Sequence, residues 1–101
     1  MKIVKTIDEV RDAVKELQRE GKTVGFVPTM GALHGGHLSL FRRARKHADV
    51  VLVSIYVNPE QFGPNEDFSS YPRTLERDLA FCEQEEVGIV FTPDDEIMYG
   101  S

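Results

Sequence analysis

The chain has 101 residues, the length of one ordinary domain, with 41% hydrophobic and 29% charged residues, a balance that excludes a disordered polymer. Its net charge of -5 argues against a general nucleic-acid-binding surface but leaves room for one anion held locally. A single cysteine, Cys82, cannot form an internal disulfide, which fits a reducing cytoplasm. The first residues lack the apolar core of a signal peptide, and no apolar run approaches the roughly 20 residues that span a bilayer. These features predict a soluble cytoplasmic protein without a membrane or nucleic-acid partner.

In chain order, Thr6 to Glu20 reads as a helix. Thr6 and Glu9 form a T-x-x-E capping box, Val10, Val14 and Leu17 make one apolar stripe, and Gly21 stands where a helix stops. Thr23 to Val27 reads as a short buried strand that Pro28 ends, because proline has no amide for a ladder. A second helix is expected from Gly36 to His47, with Leu40, Phe41, Ala44 and Ala48 inward and Arg42, Arg43, Arg45 and Lys46 toward solvent. Val50 to Val57 is nearly continuous, apolar and β-branched, as a strand covered on both faces should be. Glu60 to Pro72 is rich in turn formers and reads as a long loop of the kind that carries function. Leu75, Leu79 and Cys82 mark a third helix from Thr74 to Glu85, with Cys82 as a small buried apolar group. Gly88 to Phe91 is a last strand, and Pro93 to Ser101 a polar tail.

Alternating helices and strands predict an α/β fold, a Rossmann-like three-layer parallel sheet with three strands and three helices. In such sheets ligands bind beyond the carboxyl ends of the strands. Pro28 to His37 and Asn58 to Gln61 both follow strands, so the topology brings them to one edge.

The first of these stretches is the more informative. A helix start offers amides without internal partners and a partial positive charge, which suit phosphate. Gly31, Gly35 and Gly36 let a ligand approach the backbone. His34 and His37, three apart, can point into one pocket and donate hydrogen bonds to a phosphoryl group in transfer. Glycines at a strand-to-helix turn also occur for backbone reasons alone. A zinc site lacks a Cys/His partner set, so no metal site is expected, and no Gly-Lys-Ser/Thr follows to make a Walker loop.

H-x-G-H after a strand resembles the nucleotidyltransferase superfamily. "VPTMGALHGGHLSL", then "VSIYVNPEQF", then "YPRTLERD", in that order, resemble the pantothenate synthetase (pantoate–β-alanine ligase) family from about Gly21 to Tyr99. The resemblance implies ATP-dependent condensation of pantoate with β-alanine through pantoyl adenylate, giving pantothenate, AMP and pyrophosphate on the way to coenzyme A. It implies that Met30, Gly31, Ala32, Leu33, His34, Gly35, Gly36 and His37 bind ATP. His37 would be the catalytic histidine, and Gln61 would touch pantoate and β-alanine. Pro28, Thr29, Asn58, Tyr71 and Arg73 are secondary candidates, and Mg²⁺ would accompany ATP.

Members of the family are longer than 101 residues and commonly homodimeric. The resemblance therefore implies that residues 1–101 are the N-terminal part of the ATP-binding domain. A second nucleotide motif and a small C-terminal domain would lie beyond, and this length alone would be inactive. Two other readings remain at this point: a related nucleotidyltransferase acting on a phosphorylated acceptor, and a non-catalytic nucleotide-binding or oligomerisation module.

Overall fold

The computed structural model describes residues 1–56 and 71–93, with main chain only at 71–74. Seven elements follow one another: β1 (Lys2–Val4), α1 (Ile7–Arg19), β2 (Val24–Thr29), α2 (Gly35–His47), β3 (Val50–Ile55), α3 (Tyr71–Gln84) and β4 (Ile89–Phe91). The strands form one parallel sheet in the order β1-β4-β3-β2. Among the described residues no helix is long and apolar enough to cross a membrane.

The layers follow from connection handedness. From β2 through β3 to β4 the chain steps in one direction across the sheet, so right-handed crossovers put α2 and α3 on the same face. The connection from β1 to β2 runs back across the whole sheet, so the same rule puts α1 on the other face. Two cores result. Alternate residues Val51, Val53 and Ile55 of β3 join Phe41, Cys82 and Leu79 on the α2/α3 side. Leu52 points the opposite way and joins Val4, Ala13 and Ile89, with Val10, Val14 and Leu17 of α1 packed against them. The period-two alternation of β3 therefore feeds both faces, which is why its sequence is apolar at every position but Ser54.

Four expectations need correction. The sheet has four strands, not three: β1 went unread because it is three residues long and only Val4 is buried. Pro28 does not end β2, since the strand runs to Thr29 with Pro28 opposite Ser54. The Thr23 and Thr29 carbonyls accept hydrogen bonds from β3 and the segment after it, so Pro28, of opposite parity, stands where an N–H would face the open edge. Helix α3 starts at Tyr71 instead of Thr74, with Pro72 in the first turn, where no intrahelical N–H is needed. Leu40 is half-exposed, because it flanks a groove along β2 instead of sitting under α2; Phe41 takes the buried place.

The basic residues of α2 are also less idle than a solvated face would be. Arg42 pairs with Glu85 at 3.6 Å and Arg45 with Glu86, tying α2 to the turn before β4. The capping box at Thr6 forms as expected, with the Thr6 hydroxyl accepting from the Glu9 N–H at 3.1 Å and Glu9 accepting from the Thr6 N–H at 3.1 Å. Cys82 is fully buried, and burial, with the Asp78 charge adding to it, pushes its thiol up to about 12.

Candidate functional site

The chain leaves β2 at Thr29 and enters α2 at Gly35, turning in five residues. Two of them, Gly31 (φ 88°) and Ala32 (φ 52°), are left-handed. Glycine takes this conformation freely, but alanine does not, so something must hold Ala32 there. That support comes from α3. The two carboxylate oxygens of Asp78, completely buried, accept from the Ala32 N–H at 2.9 Å and the Leu33 N–H at 2.8 Å. On the other side, the Gly31 N–H donates to the Thr29 hydroxyl at 3.3 Å, and that hydroxyl donates to the Ser54 carbonyl at 2.9 Å. The turn is thus stitched to β3 and α3, and Leu33 drops into the core as an anchor.

His34 is the N-cap of α2. Its Nδ1 accepts from the Gly36 N–H at 2.9 Å, while the His34 N–H donates to His37 Nδ1 at 3.2 Å. This is the reciprocal logic of a capping box carried out by two imidazoles. Because both Nδ1 atoms accept, the proton of each neutral ring resides on Nε2, leaving two N–H donors for a ligand. The rings meet edge to face with centroids 4.5 Å apart, and His37 lies 6.4 Å from the buried Phe41. His34 is exposed and His37 half-buried. A cavity of about 440 Å³ opens beside them, lined by Pro28, Thr29, Met30, His37, Ser54 and Tyr56 at the carboxyl ends of β2 and β3.

The amides are more occupied than the helix-start argument anticipates. Those of Gly31, Ala32, Leu33, His34, Gly36 and His37 all donate within the chain. The turn therefore presents imidazole N–H groups more than a bare main-chain cradle. Glycine at 36 matters for a reason other than ligand approach: a Cβ there would stand 2.6 Å from His34 Cε1 and displace the ring. Gly35 has open space around it.

Asn58 and Gln61 lie outside the described residues, and Tyr71 and Arg73 are placed only as main chain at the start of α3. Asp78, which holds the turn, is the residue that sequence reasoning passed over. The signal was present: Leu75, Asp78, Leu79 and Cys82 share one helical stripe, and a carboxylate on a core stripe must have a partner.

A four-stranded parallel α/β sheet with a glycine–histidine turn and a cavity at its carboxyl edge defines the class: a Rossmann-like α/β domain. Comparison narrows it. The sequence model of pantoate-β-alanine ligase matches residues 2–101, and the chain belongs to that family. The chain is 59% identical over 99 residues to the pantothenate synthetase of Pseudothermotoga lettingae, covering 98% of this chain and 35% of the relative. It is 54% identical over 99 residues to that of Bacillus subtilis, with the same coverage. The fold matches pantoate-β-alanine ligase (pantothenate synthetase) from Thermus thermophilus with a TM-score of 0.81 at 48% identity, covering 100% of this chain and 35% of that one. It matches the Francisella tularensis ligase, complexed with β-γ ATP and β-alanine, with a TM-score of 0.82 at 41% identity, covering 98% of this chain and 38% of that one. The chain thus spans about a third of the length of these relatives.

Proposed function

We propose that the chain supplies the phosphate-facing part of an AMP-forming ligase that condenses pantoate with β-alanine at the expense of ATP. The observation that carries this is the pair of imidazoles 4.5 Å apart at the mouth of α2, each with Nδ1 tied to main chain, beside the carboxyl-edge cavity. The ligand pair in the Francisella tularensis relative supports ATP and β-alanine as ligands of this family's site.

In this reading the segment Met30–His37 binds ATP, with Pro28 and Thr29 as its floor. A pantoate carboxylate oxygen attacks the α-phosphorus, the bond to the bridging oxygen breaks, and pyrophosphate leaves with those electrons. His37 and His34 donate from Nε2 to the phosphoryl oxygens where charge accumulates, the role in which a preorganised donor is most effective. The β-alanine amine then attacks the acyl carbon of pantoyl adenylate, releasing AMP and pantothenate. Gln61 would touch both pantoate and β-alanine, with Asn58, Tyr71 and Arg73 as secondary candidates for ligand contact. Among the described residues no group of three His, Cys, Asp or Glu side chains is placed to hold a metal ion. Mg²⁺ would accompany ATP, and no step above is routed through it. The enzyme as a whole would be a cytoplasmic homodimer. Residues 1–101 form the N-terminal part of its ATP-binding domain and are inactive alone, since relatives are nearly three times as long.

Replacing the matched segment of the Bacillus subtilis relative with residues 1–101 tests the reading. The chimera should make pantothenate and release pyrophosphate from ATP only when pantoate is present, and His37→Ala in it should abolish both. A folded chimera that does neither, that prefers a phosphorylated acceptor, or that is indifferent to His37→Ala refutes the assignment. Substantial synthesis by the 101-residue chain alone would contradict the claim that it is inactive.

A further inference from the structure

Asp78 is the sole completely buried charged side chain among the described residues, and none of the ion pairs among them includes it. A carboxylate costs free energy to bury, and a leucine would suit the stripe of Leu75, Leu79 and Cys82 better. What the carboxylate does instead is reach across to a turn 45 and 46 positions earlier and take two adjacent amides, one on each oxygen. One of those amides belongs to Ala32, which is left-handed without being glycine. Two residues later comes His34, whose backbone direction sets both imidazoles through their shared hydrogen bonds. The same two contacts also remove the Ala32 and Leu33 amides from competition for an anion, so phosphate is directed to the imidazole donors.

We propose that Asp78 is a positioning residue for the phosphate-facing turn: its buried carboxylate pins Ala32 and Leu33 and thereby aligns His34 and His37. The link to ATP rests on the function proposed above, whereas the link to the imidazoles does not.

The experiment uses the 101-residue chain and Asp78→Asn, which keeps the shape but offers one acceptor oxygen to two donors. Three properties are read by NMR: cross-relaxation between the His34 and His37 rings, the Nε2-protonated tautomer in their ¹⁵N shifts, and the affinity for Mg-ATP. The expected result is a folded variant that loses the ring proximity and binds ATP about tenfold more weakly, the scale of one charge-assisted contact. Adding Ala32→Gly should restore both, because glycine adopts the left-handed turn unaided. Val4→Ala, which thins the core on the opposite face of the sheet, should change neither. If Asp78→Asn does not fold, the Ala32→Gly/Asp78→Asn chain is read in its place, and its failure to fold would show a general core role and overturn the proposal. Retention of ring proximity and affinity in Asp78→Asn overturns it, as does an equal loss in Val4→Ala or an absent rescue. A wild-type chain that shows no ATP response at Met30–His37 counts against the proposed function, and the ring measurements then decide the role of Asp78 on their own.

Discussion

Replacing Gly36 with alanine separates the two reasons a helix can begin with glycine. The new Cβ would lie 2.6 Å from His34 Cε1 and 3.0 Å from its Nδ1, so the exposed imidazole must swing away. That motion breaks the bond from the Gly36 N–H to Nδ1, a capping contact worth about 1 kcal/mol. Against it stands the higher helix propensity of alanine over glycine, also about 1 kcal/mol. The two effects offset, and the melting temperature should move by no more than roughly 4 °C for a domain of this size. Function should not escape so lightly. His34 loses its fixed tautomer and its place beside His37, and a lost charge-assisted contact of about 1.5–3 kcal/mol weakens Mg-ATP binding roughly 10- to 100-fold. Circular dichroism melts and an NMR titration of the chain with Mg-ATP measure the two quantities. A large fall in melting temperature would mean the glycine serves the backbone alone. Unchanged affinity at unchanged stability would mean that the His34 ring has no part in binding phosphate.

Other consequences follow from the same geometry. Cys82 should resist thiol reagents in the native chain at neutral pH and react fully in guanidinium, because it is buried and its thiol is pushed up to about 12. The raised pKa gives a signed stability effect: the stabilisation is fully present below the unfolded thiol's pKa of about 8.5 and is lost as pH rises toward 12. Melts across that alkaline window should show a decline that Cys82→Ala flattens. Thr6→Ala should lower the melting temperature by about 4–8 °C through loss of the α1 cap. The Glu9 carboxyl, held below its usual range mainly by the Thr6 hydroxyl, contributes stability above its unfolded pKa that is lost as pH falls through its folded value. The acid-side decline should therefore be shallower in Thr6→Ala, and an unchanged acid limb would refute the capping account.

The legibility of the fold varied with how much of each element's pattern was local. β3 announced itself because both faces are covered, so every position but Ser54 is apolar. α1 was readable from its cap and its stripe, both written within fifteen residues. β1 was not, because three residues cannot show an alternation and the strand it pairs with, β4, lies more than eighty residues away. Pro28 misled for a related reason. A proline forbids a ladder bond on one side only, and which side faces the neighbour depends on strand parity and on where the strand lies in the sheet, neither of which is local information.

The site shows the same division more sharply. Glycines and histidines crowded after a strand single out the turn for attention, since their unusual spacing lies within eight residues. What that spacing could not reveal is how the turn is held. Bare amides at a helix start are the simplest expectation, yet six amides of the segment spend themselves inside the chain, two of them on a carboxylate from another helix. The sequence clue to that carboxylate was a polar residue on an apolar stripe, which says that a partner exists without saying which. Only the fold, by laying α3 against the turn after β2, chooses the partner. The chemistry shifts accordingly, from a main-chain cradle toward paired imidazoles whose Nδ1 atoms are committed and whose Nε2 protons are not. A site built this way depends on a turn geometry enforced from the core, so its weakest point lies at Ala32, where the left-handed backbone is maintained against the residue's own preference.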